Sequence, residues 1–206
     1  MRALLVASLV ASLLVVACGG GASTSSPPPT RPAATLPYPP TGTAPTPRTP
    51  NPSVVCATAS QTGPATKATI ELVKGGAIVI QLRPDKAPGT VANFAKNARE
   101  CKYDGLTFHR VEKNPPFVIQ GGDPLGNGTG GGNQPTELND LPFAKGALGI
   151  ARGGDIKVSN LFQFYVCIGS CRHLDGQYTN FGQVTAGQEV ADAVQVGDRI
   201  RTIRIE

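Results

Sequence analysis

The chain has 206 residues, among them 25 Gly and 19 Pro, with 16 % charged residues and a net charge of +5. Of its 19 basic residues, Arg2, Arg31 and Arg48 precede residue 65, where no acid stands, so 16 basic face 14 acidic residues in the remainder. No concentrated basic patch results, which argues against a nucleic-acid-binding domain, and the length suits one domain with appendages.

Three zones follow in chain order. Residues 1–17, MRALLVASLVASLLVVA, set one Arg before a run of apolar and small residues. The run fits the apolar region of an export signal and falls short of the ~20 residues of a membrane-spanning helix. It ends at Cys18 within VVACGGG. Small residues before a cysteine there resemble the bacterial lipobox, which implies cleavage before Cys18 and its lipidation. The alternative is an ordinary secretory signal with an incidental cysteine. Residues 18–64 hold 12 of the 19 prolines among Thr, Ser, Ala and Gly. Apolar residues are too sparse there to offset ordering entropy, so a disordered, proline-stiffened tether is expected.

Residues 65–206 are long enough to bury a core. ATIELV and AIVIQL flank Lys74-Gly75-Gly76, the pattern of a β-hairpin. APGTVANFAKNARE predicts a helix starting near Pro88, with Val91, Phe94, Ala95 and Ala98 at helical spacing. Further strands are predicted at 106–111, 117–120, 147–151, 162–168, 180–184 and 200–205, and a short helix at 187–194. Many short strands, glycine turns and two helices predict a mainly β barrel or sandwich.

After Cys18 stand Cys56, Cys101, Cys167 and Cys171. An exported chain meets an oxidising compartment, so disulfides are expected. Four cysteines allow three pairings; the close spacing of Cys167 and Cys171 favours that pair, with Cys56–Cys101 as the second. The cysteines lack the spacing of a metal site, and no metal or cofactor is expected.

The segment LTFHRVEKNPPFVIQGGD raises a chemical question, because it sets a permanent cation, Arg110, before the apolar Phe117, Val118 and Ile119. Phe108-His109-Arg110 followed by Phe117-Val118-Ile119-Gln120-Gly121-Gly122-Asp123 resembles the active-site segment of the cyclophilins, a family of peptidyl-prolyl cis/trans isomerases. APGTVANF, YDGLTFHRV, GNGTGGG, GALGIAR, QFYVCI, HLDGQYTNFGQV and IRTIRIE follow the family's order over roughly residues 67–206. The resemblance implies a closed eight-stranded antiparallel barrel capped by two α-helices. It implies a catalytic group of Arg110, Phe117 and Gln120, with Gln120 orienting Arg110. It implies a proline socket lined by Phe117, Val118, Tyr165 and Leu174, and substrate contacts from His109, Ala151, Arg152, Gln163, His173 and Tyr178. His109 is expected to serve as a structural hydrogen-bonding partner, Gln163 as a groove wall, and the backbone of Ala151 and Arg152 as a grip on the residue before proline.

The chain also departs from the family pattern. VEKNPP is longer than the usual link between Arg110 and Phe117, VSNLFQF replaces small residues, and Val118, Arg152, Tyr165, His173 and Tyr178 replace commoner residues. His173, at a position where some members carry Trp, implies weak cyclosporin binding. GNGTGGG lacks the Lys-Ser/Thr of a phosphate cradle and reads as a flexible loop beside the groove. The expectation is a monomeric, membrane-tethered, extracytoplasmic isomerase acting on proline-containing polypeptides. The alternative is a proline-peptide-binding module or holdase that kept the groove and lost turnover.

Overall fold

The computed structural model describes residues 64–206. The signal segment, Cys18 with its lipidation, the tether and Cys56 lie outside the described residues. The elements in chain order are β1 (Lys67–Leu72), β2 (Ala77–Leu82), α1 (Pro88–Arg99), β3 (Phe108–Lys113), β4 (Pro116–Gly121), β5 (Asn133–Pro135), β6 (Ala147–Arg152), β7 (Val158–Cys167), β8 (Asn180–Ala186), α2 (Gln188–Asp192) and β9 (Ile200–Ile205). A 3-10 turn, Arg172–Leu174, follows β7.

All pairings are antiparallel, and the strands run in the order β3-β4-β7-β6-β8-β2-β1-β9, with β5 attached to β7. The expected closed barrel is therefore corrected to a curled sheet whose ladder path is open between β3 and β9. At that seam a single bridge, Thr107↔Arg199, joins the lead-ins of the two strands. Hydrogen bonds of Gly105 N and Phe108 N to Ile200 O and Asp198 O, at 2.8 and 2.9 Å, reinforce it. The seam lies at and just ahead of the first residues of both strands, so their ladders never run alongside each other.

β1 shows alternate burial, with Ala68, Ile70 and Leu72 turned inward, as a strand with one covered face requires. The β1–β2 turn carries Gly75 and Gly76 at φ +97° and +87°, a region that glycine enters without steric cost. Helix α1 buries Val91, Phe94, Ala95 and Ala98 as expected, together with Thr90 and Asn97. Phe94 meets Tyr103, Phe164 and Phe181 at centroid distances of 5.3–5.5 Å. Ala87 gives α1 no side-chain cap. The Glu137 carboxylate caps it from outside the helix, accepting Gly89 N at 2.9 Å and Thr90 N at 2.7 Å. That satisfies two of the donors a helix start leaves unpaired and puts an anion at the positive end of the dipole.

β7 begins four residues before the predicted start at 162, because Val158–Asn160 pair with the short β5. Phe162 packs on the core, its ring 5.9 Å from Tyr103. The expected Cys167–Cys171 disulfide is present, with Cα atoms 6.2 Å apart. Cys101 is also disulfide-bonded. It adopts φ +52° just beyond α1, where Cys101 N and Lys102 N return hydrogen bonds to Ala98 O and Asn97 O at 2.9 Å. Those two bonds are the C-terminal closure of the Schellman motif, with cysteine at the position glycine normally takes.

Candidate active site

The long link after Arg110 does not bulge into the site; it extends the β3–β4 hairpin. Lys113 pairs with Pro116 around Asn114 and Pro115, whose peptide bond is cis, and Arg110 pairs with Gln120. Register shifts lie between Phe108 and Arg110 and between Val111 and Lys113. Arg110 and Glu112 are two residues apart on β3, the spacing that places side chains on one face of a strand.

The Arg110 guanidinium is held on two sides. Nε donates to Glu112 Oε1 at 2.8 Å, and Nη2 donates to the same oxygen. Nη1 donates to Gln120 Oε1 at 3.1 Å. Gln120 Nε2 donates to Gln163 Oε1 at 2.9 Å, and Gln163 Nε2 donates to Gly130 O at 2.8 Å and Gly128 O at 3.0 Å. A relay of side-chain bonds thus runs from the guanidinium to the backbone of the glycine loop. Gln163 is fully buried. The expectation that it walls the groove is corrected: its amide supports Gln120 from behind.

The glycine loop is pinned, which corrects the expectation of flexibility. The buried Asp123 carboxylate accepts from Leu125 N, Asn127 N and Gly128 N. Asn160 Nδ2 donates to Gly130 O at 2.9 Å. Thr129 of this loop, with Asn133, Asp155, Ser159 and Asn160, helps to frame a groove of about 320 Å³, which the sequence did not reveal.

The apolar part assembles as expected and extends further. Val118, Ala151, Tyr165, Leu174 and Tyr178 form one cluster with Phe143, Ala147, Cys167 and Cys171, and Phe117 packs against it. Phe143 stacks on Tyr165 at 5.9 Å, and Tyr178 meets Tyr165 edge-on at 6.1 Å. Val118, Tyr165 and Leu174 are fully buried, so they form the interior of this cluster. Phe117 and His173, both half-buried with ring centroids 4.9 Å apart, form the part that meets solvent. The guanidinium carbon of Arg110 lies 5.9 Å from the Phe117 ring centroid.

Two further expected residues are Arg152 and His109. Arg152 is buried; its Nε and Nη1 donate to Gln177 O and Gly153 O at 2.9 and 2.8 Å, and its head group stacks on Tyr178 at 4.3 Å. Its side chain thus packs against the apolar cluster. His109 is next to Arg110, yet neither ring nitrogen has a hydrogen-bond partner among the described residues. Burial, opposed by the Asp123 carboxylate and by weaker contacts with the Thr107 backbone and the Gln163 side chain, lowers its pKa and favours the neutral imidazole. The Tyr165 hydroxyl is likewise buried without a partner, and burial raises its pKa well above the usual tyrosine value.

Glu112 is the site residue that sequence reasoning missed. The available signal was its spacing from Arg110 along a strand; the resemblance hid it, because Glu112 lies where the family pattern is interrupted. Among the described residues, no group of three or more His, Cys, Asp or Glu gathers as a metal site.

The comparisons with known proteins agree with this geometry. The family model "Cyclophilin type peptidyl-prolyl cis-trans isomerase/CLD" matches residues 67–206. Peptidyl-prolyl cis-trans isomerase B of Bacillus subtilis is 45 % identical over 139 residues, covering 66 % of this chain and 94 % of the relative. A peptidyl-prolyl cis-trans isomerase of Synechococcus elongatus is 42 % identical over 144 residues, covering 68 % and 96 %. Among solved structures, a Cryptosporidium parvum cyclophilin-type isomerase determined in the presence of the dipeptide Ala-Pro superposes with a TM-score of 0.62 at 25 % identity, covering 68 % of this chain and 98 % of that one. The chain belongs to the cyclophilin-type peptidyl-prolyl cis-trans isomerases.

Proposed function

We propose that the chain accelerates rotation about X-Pro bonds by stabilising the twisted amide with Arg110. Peptide-bond rotation faces about 18–20 kcal/mol because the nitrogen lone pair is delocalised into the carbonyl. X-Pro bonds populate both isomers yet exchange in tens to hundreds of seconds. Near a quarter turn the lone pair returns to the prolyl nitrogen. A donor meeting it there favours the twisted state over the planar one, which is what catalysis requires. A guanidinium suits the task because it stays charged and presents fixed donors. The observation that carries this reading is the Arg110–Gln120–Gln163 relay, which holds the cation beside Phe117. Phe117 and His173 would seat the pyrrolidine ring over the buried floor of Val118, Tyr165 and Leu174.

A protease-coupled assay on a proline tetrapeptide tests it. Arg110→Ala is expected to lower kcat/KM at least tenfold, about 1.4 kcal/mol of transition-state stabilisation. Equal acceleration by wild type and variant would overturn the role of Arg110.

The departures from the family pattern at VEKNPP (111–116) and at residues 158–162 favour a second reading, a proline-peptide-binding module or holdase that kept the groove and lost turnover. That reading requires peptide binding without faster cis/trans exchange, which NMR on a bound peptide separates from catalysis.

The substrates proposed are X-Pro bonds in exported or unfolded chains near the membrane, where the lipid on Cys18 would hold a monomeric enzyme. Lipid chains contribute roughly 0.8 kcal/mol per buried CH₂, and stable anchoring takes more than one. Cell fractionation tests this: wild type is expected with membranes and Cys18→Ser in the soluble fraction. Membrane retention of the variant would contradict the anchor. With His173 at the mouth, cyclosporin binding is expected to be weak.

A further inference from the structure

We propose that Glu112 is a positioning residue of the isomerase site, a role that rests on the Arg110 reading above. An arginine offers five N–H donors. Here three are engaged, two by a single Glu112 oxygen and one by Gln120. Two N–H groups remain, one on each terminal nitrogen. Glu112 and Gln120 approach the planar group from different sides, so its rotation about the side-chain axis is blocked. A long arginine side chain otherwise has many rotamers open to it, and positioning a catalytic group in advance lowers the barrier of the step it serves.

An ordinary strand-surface ion pair would look different. Exposed pairs contribute little because both side chains are solvated and mobile. The Arg110 side chain is only 10 % exposed, whereas that of Glu112 is 42 % exposed. The carboxylate therefore reaches in from the rim onto a mostly buried cation. It comes from the lengthened β3–β4 hairpin, beside the register shift between Val111 and Lys113.

The test measures kcat and KM for wild type, Glu112→Ala and Glu112→Gln, together with the Nε–H resonance of Arg110 and thermal unfolding. Glu112→Ala is expected to lower kcat roughly tenfold, as loss of alignment does, with KM changed less than about twofold. Glu112→Gln keeps an acceptor oxygen and is expected to recover most of the loss. The Nε–H resonance should exchange slowly in wild type and rapidly in Glu112→Ala, while the unfolding temperature stays close to that of wild type. Unchanged kcat in Glu112→Ala, or a raised one, overturns the positioning role while leaving the Arg110 reading intact. A wild-type chain without turnover overturns both.

Discussion

At the scale of single residues, the Tyr165 hydroxyl is one of the buried polar groups left without a hydrogen bond. It is buried, and no described residue accepts or donates to it. Its ring also fills the space above Gly149, where a Cβ would overlap the ring carbons, so this glycine is there for close approach. A buried hydroxyl without a partner costs roughly 1–3 kcal/mol. Tyr165→Phe keeps the ring packed on Phe143 and Tyr178 and removes the orphan atom. Denaturant unfolding is expected to show a gain of about 1 kcal/mol. A loss of stability of that size would mean that the hydroxyl has a bonding partner. Residue chemistry was partly legible in the sequence. Arg110, Phe117 and Gln120 were picked out by the family resemblance, and the structure brings them together. The partners of Gln163 were not legible, because its bonds go to backbone carbonyls of Gly128 and Gly130, which no residue type encodes.

At the scale of elements, α1 illustrates a cap that local sequence cannot disclose. Pro88 marks the start of the helix and the apolar spacing marks its buried face. The donors of Gly89 and Thr90 are nevertheless satisfied by Glu137, more than forty residues away in sequence. Glu137 is itself fixed by its own backbone N–H, which donates to Thr179 Oγ1 at 2.9 Å. Glu137→Ala is expected to cost about 1 kcal/mol, the usual loss for a helix cap, read by denaturant unfolding. No change would mean that solvent caps the helix equally well. The strands with clean alternation or unbroken apolar runs, β1, β2, β6 and β9, were legible for that reason. β5 was not, because its three residues, Asn133–Pro135, are polar or proline and have no periodicity of their own. The start of β7 was hidden for the same reason: Val158–Asn160 become a strand only through pairing with β5.

At the scale of the whole molecule, the ordered set of motifs disclosed the family and a mainly β, eight-stranded architecture, while the order of the strands and the openness of the sheet depended on tertiary register. Ladder closure requires β3 and β9 to run side by side, and they meet only through their first residues and the residues just ahead of them. The curled sheet places β3, β4 and β7 in succession, which lets Arg110, Gln120 and Gln163 form one relay across neighbouring elements. The Cys167–Cys171 disulfide follows β7 and leads into the turn that bears His173 and Leu174, so one cluster joins the back of the sheet to the mouth of the site. The account as a whole depends on the Arg110 cation acting on the twisted X-Pro bond. The most direct measurement is cis/trans exchange of a proline peptide, followed by NMR, with equal concentrations of wild type and Arg110→Ala. The account predicts exchange accelerated by wild type and at least tenfold slower catalysis by the variant, about 1.4 kcal/mol. Equal exchange rates with the two proteins would contradict it.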